Sequence, residues 1–308
     1  MLDKKYVTLY ARSNKVRLDV AERDVVLTYV LKILSENVLP SLAFKGGTCL
    51  KKVYFGNTGR FSMDLDFTSY GIKVEELKSG LRQLLGNKTA YGIYFDILEE
   101  HISESPDTIG RSYIAVVNYA HNWNTGSEFE LEVSYREEPT LPLQEPLLFD
   151  EMYFKFCEFT RFHIRCLQKE ELLAEKLRAA MQRIRSRDLY DLYLFSNRPF
   201  DKDLVKKLVV IKCWNAREPF NPRELFSKIM NADYDWDDLQ QLVRRGGIPS
   251  QGTITKIVVK QYKFLNDIDD QLLKIVHDSK AHRERQLVTR LTSSLLKTSV
   301  SKEFDHSN

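Results

Sequence analysis

The chain has 308 residues, 43% of them hydrophobic and 29% charged, with a formal net charge of +3. This composition excludes a disordered, collagen-like or low-complexity protein, and it supplies the apolar material for one large or two ordinary domains. So small a net charge does not argue for a nucleic-acid partner by itself; that depends on where the charges lie.

No uncharged apolar run approaches the ~18 residues of a membrane helix, so no membrane partner is expected. The first twenty residues, MLDKKYVTLYARSNKVRLDV, have no long apolar stretch and no small-residue cleavage site, so no signal peptide is evident. Cys49, Cys157, Cys166 and Cys213 form no C-x-x-C pair and read as reduced thiols of a cytoplasmic protein.

Taken in chain order, residues 19–37 repeat apolar positions at helical spacing and predict an amphipathic helix, ended by Pro40. LAFK (42–45) is short enough for a buried strand, and Gly46-Gly47-Thr48 turns into a second helix through Leu50, Val53 and Tyr54. FSMDLDFTSYG (61–71) alternates as a strand does. A helix over 74–85 follows, then strands over 92–100, 111–120 and 128–137. The segment 139–148 holds three of the nine prolines and is the best linker candidate. Residues 153–167 look like one or two strands. Beyond them the pattern is helical over 169–186, 187–196, 202–213, 222–230, 236–245 and 253–277, with a basic tail that is helical over 284–297. This predicts a mixed α/β domain over 1–150 and a mainly helical domain over 151–308.

Asp64-Leu65-Asp66 is the strongest local signal. On a strand, residues i and i+2 share a face, so both carboxylates project together and repel unless a cation lies between them. Hard oxygen ligands of this kind suit Mg²⁺ or Mn²⁺. An isolated D-x-D is more often a solvated strand face. The Gly46-Gly47-Thr48 turn, with Lys45 before it, lets backbone approach a phosphate closely, although many such turns need glycine only for their geometry. The turn lacks the spacing of a P-loop or a dinucleotide fingerprint. Lys176, Ala180, Arg183 and Arg187 fall on one stripe of the helix predicted over 169–186, bordering the apolar stripe of Leu173, Leu177, Ala180 and Ile184. Such a row fits triphosphate or RNA phosphate, although a charge run on a helix is more often a solvated face, and Asp188 and Asp191 on the next helix can meet it. Glu130 and Glu132 share one face of the strand over 128–137. No histidine pair has metal spacing and no nucleophile elbow occurs.

KGGTCLKKVYFGNTGRFSMDLDF (45–67) and EKLRAAMQRIRSRDLYDLYLF (175–195) together resemble the AbiEii/MenT-type nucleotidyltransferase toxins, within the polymerase-beta-like nucleotidyltransferase superfamily. The resemblance covers roughly residues 40–196. It implies a nucleotidyltransferase fold with a mixed sheet, in which Lys45, Gly46, Gly47, Thr48, Lys176, Arg183 and Arg187 bind an NTP. Asp64 and Asp66 would bind Mg²⁺ or Mn²⁺, joined by a third acid, Glu132, with Glu130 in reserve. The second motif marks Lys176, Asp188 and Asp191 as functional without separating ion-pair anchors from catalytic groups. Thr48 stands where most of the superfamily has Ser, which keeps the hydroxyl. The implied activity is nucleotide transfer to an RNA acceptor, notably the 3′ end of tRNA, by a bacterial toxin restrained by a cognate antitoxin. AMP or UMP transfer to a protein hydroxyl, and a non-catalytic GTP- or ATP-binding module, are the rival readings.

Overall fold

The computed structural model describes residues 2–37, 41–104 and 111–305, with side chains to residue 297. A first helix, α1 (Lys4–Asn14), was not signalled by the sequence; Asp3 caps it by accepting the Lys5 N–H. Helix α2 (Leu18–Ser35) follows. It is buried around most of its circumference: Glu22 meets His121, and Thr28 and Tyr29 meet Tyr153 and Glu158. Its Asp24 and Thr28 are buried against the Lys52 ammonium, at 2.9 and 2.8 Å, which removes the cost of an unpaired polar group in the core. Pro40 lies outside the described residues.

β1 (Leu42–Lys45) leads directly into α3 (Gly46–Cys49), which continues as a π-helical turn over Leu50–Phe55. β2 (Leu65–Ser69), α4 (Val74–Leu85), β3 (Lys88–Ala90), β4 (Ile93–Glu104), β5 (Arg111–His121) and β6 (Asn124–Ser134) complete the first half. The strands form one mixed sheet in the order β1-β2-β6-β5-β4-β3. The β2–β6 pair is parallel and the other pairs are antiparallel. Strand alternation decides the faces: Phe129, Leu131 and Val133 of β6 point into the core, so Glu128, Glu130 and Glu132 point away from it.

The proline-rich segment is not a loose tether. Leu141 and Leu148 are buried, and the N–H groups of Thr140 and Leu141 donate to the Glu171 carboxylate at 2.8 and 3.0 Å. Residues 153–167 do not form the predicted strands. Met152–Lys155 is a 3-10 turn, and isolated bridges alone join Cys166 to Phe44 and Gln144. Prolines 142 and 146 deny this strap the N–H groups a continuous ladder would need.

The second half is helical: α5 (Lys169–Gln182), α6 (Ser186–Ser196), α7 (Lys202–Asn215), α8 (Pro222–Asn231), α9 (Trp236–Leu242), α10 (Gln251–Tyr262), α11 (Asp270–Asp278) and α12 (Arg285–Asp305). The single helix predicted over 253–277 is two, broken by a 3-10 turn after Tyr262 and recapped by Asp269. One apolar cluster runs through both halves. Among the described residues no helix is long and apolar enough to cross a membrane.

Candidate active site

The site is built on β2, which lies between β1 and β6. Register places Lys45 opposite Asp66 on one side and Glu132 opposite Asp66 on the other. Leu65 faces the core with 0% exposure, so Asp66 must face the open side of the sheet. Burial first, and then the adjacent Glu132, raises the Asp66 carboxyl to about 6; Lys45 and Lys176 work against that rise.

Asp64 lies one residue before β2, because the strand is shorter than the alternation over 61–71 predicts. It is held in two ways. Its Oδ1 accepts the Glu130 N–H at 3.3 Å, and its carbonyl accepts the Thr48 hydroxyl at 2.5 Å. Thr48 is thus buried and directed at the Asp64 backbone. Glu130 is exposed and Glu132 half-buried, so the two carboxylates of one strand face sit in different surroundings. Burial, followed by Asp64 and Glu132, also raises the Glu130 carboxyl.

The glycine turn is required by close approach. Gly46 has φ +74°, and a Cβ there would run into the Asp66 carboxylate. A Cβ on Gly47 would lie 2.6 Å from Arg60 Nη2 and 3.0 Å from Ser62 Oγ. No side chain larger than hydrogen fits at either position without moving an acidic or cationic group of the site.

The cationic row does not lie on one helix. α5 ends at Gln182, Arg183 is extended (φ −130°, ψ 160°), and Arg187 belongs to the first turn of α6. Across the break Asp188 accepts Arg183 Nε at 2.8 Å. Ile184, predicted on the apolar stripe, is consequently 48% exposed. Tertiary folding still brings the cations to the carboxylates. Lys176 Nζ lies 3.0 Å from Asp188 and 2.8 Å from Asp191. Burial disfavours its charge, but the two carboxylates outweigh burial and raise its pKa. Arg183 and Arg187 are likewise raised: Asp188, Asp66 and Glu132 act on the first, and Asp238, Asp64 and Asp188 on the second. Arg187 is fastened to Asp238 at the start of α9.

Two residues escaped the sequence reading. Arg60 is 4% exposed and grips Asp191 bidentately at 2.9 and 2.8 Å, while packing against Gly47. Glu175 lies 3.7 Å from Lys45 and 3.3 Å from the buried Lys212. Burial alone would raise the Glu175 carboxyl; Lys45, Lys212 and Arg178 overcome it and hold the group at about 2. Arg60 stands four residues before Asp64, and only its place in the R-F-S-x-D-L-D run could have marked it.

Residues 29–251 match the family profile described as nucleotidyl transferase AbiEii toxin, type IV TA system. The chain belongs to the AbiEii nucleotidyltransferase toxin family. Its fold is similar to that of MenT4, a nucleotidyltransferase toxin from Mycobacterium tuberculosis H37Rv, with a TM-score of 0.81 and 25% identity over 96% of this chain and 100% of that one. Comparison with curated protein sequences gave no match. As an AbiEii nucleotidyltransferase, the chain is a transferase of a type IV toxin–antitoxin system, and the α/β fold with a mixed sheet is the one its sequence resemblance implied.

Proposed function

We propose that this AbiEii nucleotidyltransferase transfers a nucleotide from an NTP to a hydroxyl of an RNA acceptor, the 3′ end of tRNA above all. Translation then stops until the cognate antitoxin intervenes. The observation that carries the reading is the row Lys45, Asp66 and Glu132 in register across three strands, with Gly46 folded onto the Asp66 carboxylate. A backbone cradle beside paired carboxylates, with cations facing them, is what orienting a triphosphate requires. The carboxylates come from residues 1–150 and most of the cations from 151–308, so the two halves, which we take as domains, meet at the substrate.

Mg²⁺ or Mn²⁺ fits the donor set. Asp66 and Glu132 are neighbouring carboxylates, and burial with mutual repulsion holds the Asp66 carboxyl near 6, a penalty that a divalent cation removes. Among the described residues no group of three or more His, Cys, Asp or Glu side chains is gathered to hold a metal ion by itself. An ion that takes its remaining ligands from substrate phosphates needs no such group. Asp66 and Glu132 would hold it beside the phosphates, with Asp64 completing the set once the ion draws it in, and it would supply positive charge where the α-phosphate reacts.

The chain's own residues do the rest. Glu132 takes the proton of the acceptor hydroxyl as that oxygen bonds to the α-phosphorus. The bond from phosphorus to the bridging oxygen breaks, and pyrophosphate leaves. Lys45, Lys176, Arg183 and Arg187 offer positive charge to the triphosphate, and Gly46 and Gly47 bring backbone against it. Asp188 and Asp191 act through Lys176, Arg183 and Arg60 as positioning residues, and Thr48 fixes the Asp64 backbone.

The test is incubation with each α-labelled NTP and either total tRNA or a protein extract, with Mg²⁺ or with chelator. Label on tRNA that disappears with chelator is the expected result. Label confined to protein would overturn the RNA acceptor, and label that survives chelation would overturn the metal.

A further inference from the structure

Three adjoining cavities of about 410, 550 and 650 Å³ surround the segment that joins α9 to α10. Val243 lines all three, Arg244 the first and third, and Arg245 the first and second, so the cavities adjoin along one groove. Its cations are Lys15, Arg17, Arg198, Arg244 and Arg245, and Asp237 is the one carboxylate lining it among the described residues. Arg17 is paired with Asp19 and Arg198 rests over the Phe55 ring, but Arg244 and Arg245 are exposed and no described carboxylate pairs with them. Trp236 lines the same groove, and its Nε1 is buried with no hydrogen-bond partner among the described residues. A buried donor of this kind is costly unless something supplies an acceptor. Tyr193, half-buried, adds an aromatic face to the cavity beside α6.

The groove is tied to the catalytic carboxylates at both ends of α9. Near the start of that helix Asp238 holds Arg187, whose charge is felt by Asp64. At its end the Leu242 carbonyl accepts the Phe61 N–H at 2.7 Å, three residues before Asp64. α9, which walls the groove through Trp236, Asp237, Gln240 and Gln241, is therefore the element that joins it to Arg187 and Phe61.

We propose that this groove is the acceptor track: unpaired nucleotides next to the reacting RNA end lie over α9 and the Arg244–Ser250 segment, with phosphates on Arg244, Arg245 and Lys15 and a base against Trp236. The inference rests on the RNA-acceptor reading above and adds where the RNA lies. Unpaired cations suit phosphate, a flat aromatic wall suits a base, and an orphaned indole N–H suits a base or phosphate oxygen. Each cavity is of a size that takes a group as large as one nucleotide.

The test measures initial rates of label transfer against total tRNA concentration at saturating NTP. The proteins are wild type, the double variant Arg244→Gln/Arg245→Gln, Trp236→Ala, and a charge-matched control on α10, Lys256→Gln/Lys260→Gln. The double variant should raise the KM for tRNA by roughly tenfold, leave the KM for NTP unchanged, and flatten the salt dependence of tRNA binding by about two in log–log slope. Trp236→Ala should raise the same KM without altering that slope, and the control should match wild type. If wild type labels tRNA while the double variant has an unchanged KM for it, the track is elsewhere although the RNA reading stands. If wild type labels protein alone, the RNA reading fails and this proposal with it. A double variant with unchanged tRNA kinetics that escapes neutralisation by the antitoxin would assign the groove to a protein partner and overturn the proposal.

Discussion

Asp66 is raised to about 6 by burial and by Glu132, whereas an unfolded aspartate titrates near 4. The folded chain therefore holds this proton more tightly than the unfolded one. Stability from that difference is fully present below pH ~4 and is lost as pH rises through about 6, by at most about 3 kcal/mol. Asp66→Asn should consequently melt higher than wild type at pH 8 and equally at pH 4 in the metal-free state, while losing nucleotide transfer. Denaturant titrations at the two pH values decide it; a less stable variant at pH 8 would remove the strained carboxylate from the account. The two glutamates of β6 give a second prediction. Glu132 is the register neighbour of Asp66, whereas Glu130 is exposed beside Asp64. Glu132→Gln should lower kcat by ~10²–10⁴-fold with NTP binding largely kept, and Glu130→Gln only a few-fold. Reversed effects would place the base beside Asp64 instead.

At the scale of elements, the break between α5 and α6 matters more than either helix. A continuous helix would carry Arg183 and Arg187 along a straight row; the turn at Arg183 lets Asp188 and Asp191 converge on Lys176. Lys176→Ala should lower kcat/KM by roughly tenfold to a thousandfold. It should also cost about 1–3 kcal/mol of stability, since two buried carboxylates lose a donor. Asp191→Ala is expected to be harsher, at about 3–5 kcal/mol, because Arg60 is left as an unpaired buried charge. Urea melts of the two variants check the order, and a Lys176→Ala protein less stable than Asp191→Ala would contradict it. The β1–α3 turn supplies the fourth prediction. Gly46→Ala meets both a left-handed φ and the Asp66 carboxylate, so its transfer activity should vanish even where circular dichroism remains native.

Across the whole molecule, Lys45 meets Glu175, Arg60 meets Asp191 and Phe61 meets Leu242, so contacts cross between the sheet half and the helical half at the site itself. With one apolar cluster running through both, calorimetry should record a single cooperative transition, with the van't Hoff and calorimetric enthalpies in agreement. Two resolved transitions would show halves that fold independently. The sequence alone determined the local periodicities: the three strands between residues 92 and 137, the helix over 74–85, the glycine turn and the D-x-D run are each written in neighbouring residues. The two motifs together carried the family, because their order and chemistry survive without knowledge of distance. What only tertiary structure decided was everything set by strand pairing and burial. Alternation put Glu130 and Glu132 on one face, but the parallel β2–β6 register alone puts Glu132 beside Asp66. Periodicity drew the Lys176 row as one helix, whereas Arg183 leaves α5 and meets Asp188 in a contact that no helical wheel contains. Arg60 was invisible for the same reason: its partner Asp191 lies 131 positions away, and a buried ion pair across that separation leaves no periodic trace in the chain.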